Sequence, residues 1–313
     1  MMEITNNLKR RFVKDYKLPI QIVQEPYFSY FLNLYQPVLN SSDSYDLFKR
    51  TLNNFEHQED FFTHASNFSD TIINHIQNKD SYKNLNNFDM KKYNTIHDIG
   101  QQKLYQQDNA EKNFISIDLK KANFQAFKFF DSDIVDNCES YEDFVQKTVE
   151  NSHEYFYKSK QIRQVIFGNL NPKRQQKIQK YLISLILESL LKAGMDKDSL
   201  FSSSSDELVV SENLDHIYLG KGIKKEEVLD ALKNNETTNS LDLHIENFVL
   251  EQIHPDHSFF VKNHSNGKRE FKNVPVFNMA EVYKFYHNME INEFDLAFFH
   301  EGRIANFQTS ILI

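Results

Sequence analysis

The spacing of apolar residues changes near residue 113, and this change constrains the fold more than any other feature of the sequence. Up to about residue 95, apolar side chains such as Phe61, Phe68 and Ile76 recur at multiples of three or four positions, which is typical of amphipathic helices. Residues 114–117 are instead a short, apolar, β-branched run, as in a buried strand. We therefore predict an α+β fold, in which a helical N-terminal region precedes an antiparallel sheet with helices on one side.

The same patterns and the turn residues predict the other elements. Helices are expected over residues 44–55, 61–76, 119–130, 140–167 with a break, 172–193, 224–233 and 278–289. Strands are expected in a hairpin with Asp206 near its turn, within residues 241–276, and in a final hairpin over residues 294–307. Residues 84–89 and 101–112 are polar and predicted to be loops.

A chain of 313 residues has room for one large domain or two ordinary ones. We divide it into three regions by their patterns. Residues 1–110 form the helical N-terminal region, residues 111–235 the core of sheet and short helices, and residues 236–313 a β-rich C-terminal α+β portion.

Composition excludes several classes of protein. With 36 basic and 44 acidic side chains the net charge is −8, which argues against coating nucleic acid by bulk charge but leaves room for a local basic patch. Among only seven glycines, Gly220 and Gly222 are the one close pair, so a glycine-rich phosphate loop is not expected.

The single cysteine, Cys138, cannot form an internal disulfide and fits a reduced cytoplasmic setting. No apolar run approaches the roughly 20 residues that span a bilayer, so no membrane association is expected. The abundance of Asn, Lys, Ile, Phe and Tyr reflects AT-rich codons. This composition predicts a low-GC origin, such as a phage or plasmid in a bacterial host.

Two aspartates stand at places where strands end. Asp118 lies where the strand of residues 114–117 gives way to a helix, and Asp206 lies near a hairpin turn. Two such carboxylates can meet across one sheet and hold two divalent cations, which stabilise the attacking and leaving oxygens of a phosphoryl displacement. Mg²⁺ prefers this arrangement, with water and phosphate oxygens completing its shell, and Mn²⁺ is the alternative ion.

A basic stretch separates the two aspartates. Residues 158–187 contain seven basic residues and no acidic one. These are Lys158, Lys160, Arg163, Lys173, Arg174, Lys177 and Lys180. The last four lie in the first turns of the helix that begins at Pro172, where cations oppose the helix dipole unless an anion docks there. A solvated basic face is the alternative.

The three segments, in this order, resemble motifs A, B and C of family A nucleic-acid polymerases, the group of bacterial DNA polymerase I and phage single-subunit RNA polymerases. Residues 115–118 are similar to the motif A strand and its aspartate. Residues 163–168 are similar to the fingers helix, with a basic residue before Phe-Gly. Residues 205–209 are similar to the His-Asp-Glu hairpin. The resemblance covers about a third of the chain and implies a palm with short fingers over residues 111–235.

The resemblance also implies roles for individual residues. Asp118 and Asp206 would hold the metals, and Glu207 would support them. Arg163, with Lys158 or Lys160, would grip the triphosphate; Phe167 would lie against the incoming base, and Asn123 would stand at a nucleotide-sensing position. Lys173, Arg174, Lys177 and Lys180 would bind the nucleic-acid backbone.

The sequence departs from the family at several positions. Arg163 replaces a lysine thought to act as general acid; an arginine can stabilise charge but does not donate a proton usefully. Ser205 replaces a histidine, and Asn171 with Pro172 replaces a Tyr-Gly pair. The distance from Arg163 to Asp206 is short, so much of the fingers is missing, and a protein partner could complete them.

We therefore predict a metal-dependent nucleotidyltransferase that extends a nucleic-acid primer, on a template or without one, with nucleoside triphosphates. The choice between dNTPs and rNTPs stays open. A two-metal nuclease and a non-catalytic nucleic-acid-binding or replication accessory protein with a degenerate palm are the alternatives, and the acids could also be structural. His254, His257 and His264 suggest a zinc site as a weaker alternative.

Overall fold

The structure is a computed structural model that describes residues 2–97, 103–150, 152–202, 204–212 and 224–312. The predicted α+β fold is confirmed: a helical N-terminal region precedes a six-stranded antiparallel sheet, and a small β-hairpin lies near the C-terminus. Among the described residues, no helix combines the length and the apolar character needed to cross a bilayer.

Thirteen α-helices lie within the described ranges. They are α1 (Asn6–Tyr16), α2 (Tyr27–Leu39), α3 (Ser41–Leu52), α4 (Gln58–Asn78), α5 (Asp80–Asn87), α6 (Ala122–Phe130), α7 (Tyr141–Thr148), α8 (Glu154–Lys158), α9 (Lys160–Gly168), α10 (Pro172–Lys192), α11 (Lys225–Lys233), α12 (Glu236–Asn239) and α13 (Met279–Tyr286). The first five form the helical region, and α10 is the long helix that Asn171 and Pro172 predicted.

The strands form two antiparallel sheets. They are β1 (Asn113–Leu119), β2 (Leu200–Ser202), β3 (Glu207–Ser211), β4 (Leu243–Gln252), β5 (Phe260–His264), β6 (Arg269–Lys272), β7 (Ala297–His300) and β8 (Arg303–Asn306). The large sheet has the order β2-β3-β1-β4-β5-β6, and β7 pairs with β8. Because β4 pairs along the whole of β1, the large sheet spans the boundary predicted at residue 235.

The two faces of β1 have different roles, because successive side chains of a strand point to opposite faces. Ile115, Ile117 and Leu119 are buried in the main core, on the rear face of the sheet, where α6 and α10 pack against each other. Phe114, Ser116 and Asp118 lie on the other side, which we call the open face. The rear face supplies the apolar burial that fixes the register of β1.

Residues 103–112 cover one end of the open face. Leu104 and Tyr105 pack there with a second apolar cluster that includes Phe114, Phe248 and Phe260. Asp118 is four residues beyond Phe114 on the same strand, about 13 Å along it at the usual rise. The apolar cover and the acidic end of the face are therefore separate.

Two predictions of local structure are wrong. Residues 84–89 are mostly helical, because α5 runs through Asn87. The sequence of α5 is mostly polar, but Tyr82 and Leu85, three positions apart, are buried on one side of the helix. The helix predicted over residues 140–167 is three short helices, α7, α8 and α9. Ser159 separates the last two, since its side chain accepts a hydrogen bond from Ile162 N and caps α9.

Candidate active site

The fold brings Asp118, on β1, next to Asp206, which immediately precedes the neighbouring strand β3. Asp118 is the penultimate residue of β1, and its Cα is paired with that of Glu207 at the start of β3. The backbone N–H of Leu119 donates to the carbonyl of Asp206 at 2.9 Å. The acids of the predicted motifs A and C therefore lie at one end of the sheet.

Asp118 is half-buried among other acids. Burial, and then the charges of Asp206 and Glu207, raise the pKa of its carboxyl from 3.8 to about 6. Lys160 and His244, which lies beside Asp118 on β4, act in the opposite direction but do not cancel this effect. A carboxylate kept among like charges at a sheet end is a favourable place for a cation, and such perturbed acids are typical of functional sites.

Glu207 is held by partners that the sequence did not reveal. Its Oε1 accepts hydrogen bonds from Lys262 Nζ at 2.8 Å and from Ser116 Oγ at 2.6 Å. Lys262 is 1% exposed, and its ammonium group lies 4.7 Å from the centroid of the Phe248 ring. Glu207 is thus bound to a buried cation on the open face, which fits a supporting role better than that of a metal ligand.

Replacing Lys262 by methionine is expected to lower the free energy of unfolding by about 2 kcal/mol, because Glu207 then loses a charged hydrogen-bond donor in a partly buried site. Urea unfolding at pH 7 measures this change. The double variant Lys262→Met, Glu207→Gln should recover most of the loss. An unchanged midpoint in the single variant would show that the pair contributes nothing.

The turn before β3 is held by α10. Gln179 Nε2 donates to Asn123 Oδ1 at 2.5 Å, and Gln179 Oε1 accepts from Ser205 Oγ at 3.4 Å. Ser204 Oγ donates to Asp206 Oδ1 at 2.6 Å. Asn123, predicted to contact the nucleotide, is therefore a half-buried link in a chain of side chains that positions the turn carrying Asp206.

The predicted triphosphate residues differ in what they face. Lys160 is exposed, and its charge acts on Asp118. Lys158 forms an ion pair with Glu154 one turn away. The guanidinium carbon of Arg163 lies 5.7 Å from the centroid of the Tyr141 ring, and burial lowers the pKa of Arg163. Of the three, Lys160 has the clearest relation to the acidic residues.

Phe167 is a core residue in this structure, and its predicted contact with an incoming base stays a prediction. Its side chain has no exposed surface. Its ring packs against Phe127, with centroids 5.6 Å apart, and against Tyr141 at 6.0 Å. The physical reason is the amphipathic pattern of α9, which turns Ile162, Ile166 and Phe167 inward.

The basic start of α10 is partly engaged. Arg174 Nη1 donates to the carbonyl of Phe88 at 2.7 Å, and Lys177 Nζ donates to Asn94 Oδ1 at 2.9 Å. Lys173 and Lys180 are exposed. Two of the four residues predicted to bind nucleic acid thus also contact the segment before β1, and the backbone-binding role of all four stays a prediction.

Of the histidines considered for zinc, His254 and His257 lie together, with ring centroids 5.3 Å apart, but His264 does not join them. His257 Nε2 contacts the carbonyl of Ile311 at 2.8 Å, whereas His264 lies farther along β5, with its Nδ1 3.3 Å from Glu246 Oε2. In the described part of the chain, no three or more His, Cys, Asp or Glu side chains form a group that could hold a metal ion by themselves. A pair of carboxylates completed by water and phosphate oxygens is the remaining arrangement, and Mg²⁺ commonly uses it.

Comparisons of this chain with protein-family models, with curated proteins and with solved structures find no match. The chemistry of the site is therefore inferred from its own side chains. What these provide is a half-buried pair of aspartates, a supported glutamate, and one exposed lysine whose charge acts on Asp118.

Proposed function

We propose that the protein is a metal-dependent nucleotidyltransferase, a minimal palm-type polymerase that extends a nucleic-acid primer with nucleoside triphosphates. One observation carries the proposal. Asp118 lies on β1 and Asp206 directly before the adjacent strand β3, and the charge of Asp206 contributes to raising the pKa of Asp118 to about 6. Acids that repel each other at an accessible sheet end favour a bound cation over an empty site.

The donor set fits magnesium. Asp118 and Asp206 offer carboxylate oxygens, the ligands that hard divalent cations prefer, and would hold Mg²⁺ or Mn²⁺ together with the substrate. Bound there, the ions would supply positive charge to the attacking and leaving oxygens of phosphoryl transfer. Ser204 orients Asp206 through its 2.6 Å hydrogen bond, and the ion pair with Lys262 offsets part of the negative charge of Glu207.

The chain's basic residues would bind the triphosphate. Lys160 is a better candidate for this contact than Arg163, because its charge acts on Asp118 and its side chain is exposed. Arg163 is half-buried against Tyr141, and its guanidinium remains charged at any working pH. It would contribute electrostatic stabilisation, and proton donation to pyrophosphate would fall to water or to Lys160.

A primer-extension assay tests the proposal, using all eight nucleotides, with and without a template, in Mg²⁺ or Mn²⁺. Asp206→Asn should lower incorporation about 10²-fold, the usual effect of removing one preorganised electrostatic group, while primer–template binding persists. Asp242→Asn is the matched control, since Asp242 is an exposed acid beside the same sheet end, paired with Lys120. If the wild-type protein incorporates no nucleotide on any primer, the proposed polymerase activity is refuted.

A non-catalytic nucleic-acid-binding or replication accessory protein is the second candidate, and one observation favours it. Phe167 is buried, and Arg163 lies over Tyr141, so two of the contacts expected from a fingers helix are not offered to a nucleotide. This candidate predicts primer–template binding without incorporation and no response to Asp206→Asn. Shortening of the labelled primer in the same assay would instead indicate a two-metal nuclease.

A further inference from the structure

The end of α1 is fastened to the start of α9. Ser159 Oγ donates to the carbonyl of Asp15 at 3.2 Å, and the Tyr155 hydroxyl donates to Asp15 Oδ2 at 2.7 Å. Ser159 is fully buried and caps α9, whose first residue is Lys160. Lys17 follows Asp15 by two residues, so these bonds bring a lysine of the N-terminal helical region to the start of α9.

Three cations then lie close enough for their charges to act on one another. Lys17 is exposed, and its pKa is lowered by partial burial and then by the charges of Lys160 and Arg163. Within the described ranges, none of these three side chains forms an ion pair with a carboxylate. Glu142 is the acid that acts on Arg163, and Lys121 is its ion-pair partner.

Neighbouring cations repel one another, which raises the free energy of the folded protein. An anion bound among them is attracted by each cation, so its binding is favoured. The position of these cations indicates which anion. Lys160 is the first residue of α9 and one of the three cations, and its charge also acts on Asp118. A nucleotide whose α-phosphate is at the aspartates would carry its other phosphates toward neighbouring cations. The α9 N-terminus adds its partial positive charge.

We propose that Lys17 is a phosphate-binding residue of the nucleotide site, acting with Lys160 and Arg163 on the terminal phosphates of a nucleoside triphosphate. The N-terminal helical region thereby supplies a contact that replaces part of the shortened fingers. The identification of the anion as a nucleotide, and not another polyphosphate, rests on the proposed function. The existence of an anion site at Lys17, Lys160 and Arg163 does not.

Inorganic triphosphate in metal-free buffer is the probe, measured by isothermal titration calorimetry on the full chain. Lys17→Gln should weaken binding about tenfold, as loss of one charged contact typically does. Lys17→Arg keeps the charge and should bind nearly as wild type. Lys14→Gln is the matched control, because Lys14 is an exposed lysine one turn earlier on α1, and it should leave binding unchanged. None of the three variants should melt at a lower temperature than wild type.

Kinetics separates this proposal from the proposed function. If the protein incorporates nucleotides, Lys17→Gln should raise KM for the nucleotide about tenfold with little change in kcat, since it removes binding shared by ground and transition states. If it incorporates none, weakened triphosphate binding by Lys17→Gln still supports the anion site. No triphosphate binding by wild type, or equal binding by wild type and Lys17→Gln, overturns the proposal, whatever the incorporation assay shows.

Discussion

Replacing Asp118 by asparagine is expected to lower the rate of metal-dependent incorporation strongly and to raise the melting temperature of the metal-free protein at pH 8. The loss of activity follows from losing a carboxylate that holds the metal. Such a change costs about 4 kcal/mol in the transition state, or about 10³-fold in rate. The gain in stability follows from removing a half-buried charge that Asp206 and Glu207 repel.

The pH dependence of this gain has a definite sign. The pKa of Asp118 is about 6 in the folded protein, against 3.8 for an ordinary aspartate. Below pH 4 the carboxyl is protonated in both the folded and the unfolded chain, so asparagine and aspartate should be equivalent. Between about pH 4 and pH 6 the folded chain holds its proton more tightly, and stability falls as pH rises. Above pH 6 the penalty is constant, at about 1 kcal/mol after allowance for partial exposure.

Thermal unfolding of wild type and Asp118→Asn from pH 4 to pH 8 measures this difference. The advantage of the variant should be absent at pH 4, should grow up to about pH 6, and should then level off. Added Mg²⁺ at pH 8 should stabilise wild type and not the variant, because only the native site with both aspartates binds the ion. A variant less stable than wild type at pH 8 without metal would mean that Asp118 is a structural cap.

Replacing Phe167 by alanine is expected to cost about 3–5 kcal/mol of folding free energy, the usual range for a phenylalanine removed from a packed core. Phe167 has no exposed surface and contacts Phe127 and Tyr141. Urea unfolding measures the loss. If the side chain instead served mainly to stack on a base, its removal would change stability little and would raise KM for the nucleotide.

Phe167→Leu keeps the test useful if the alanine variant does not fold. A leucine preserves most of the apolar volume, and such exchanges commonly cost less than about 1.5 kcal/mol. We expect this variant to fold and to keep the nucleotide KM of wild type. Phe127→Leu is the matched control, because Phe127 is also fully buried and its ring packs against that of Phe167. A large rise in KM for Phe167→Leu alone would restore the base-stacking role.

Much of the fold could be predicted, because its signals are local. The run ending at Asp118 is apolar and β-branched, and β1 covers it. Asn171 and Pro172 mark the start of α10. Asp206 lies between β2 and β3, as the hairpin pattern indicated. Two aspartates at strand ends could therefore be assigned to one sheet before their pairing was known.

The rest could not be predicted, because it depends on contacts between distant segments. Lys262 meets Glu207 across 55 positions of sequence, and no charge pattern in β5 signals a buried lysine. Lys17 lies near the start of α9 because Asp15, two residues before it, is hydrogen-bonded to Tyr155 and Ser159. The burial of Phe167, by contrast, follows from the helical periodicity of α9, whereas its contact with a nucleotide rests on the resemblance to a polymerase motif alone.

Mn²⁺ binding, followed by electron paramagnetic resonance, tests most directly whether Asp118 and Asp206 share a cation site. Wild type is titrated at pH 8 with a non-hydrolysable nucleoside triphosphate present, alongside Asp118→Asn, Asp206→Asn and the control Asp242→Asn. We expect wild type and Asp242→Asn to bind the ion beyond what free nucleotide binds, and each of the other two variants to lose that binding. Equal Mn²⁺ binding by all four proteins, or none by wild type, would contradict a metal site at these aspartates.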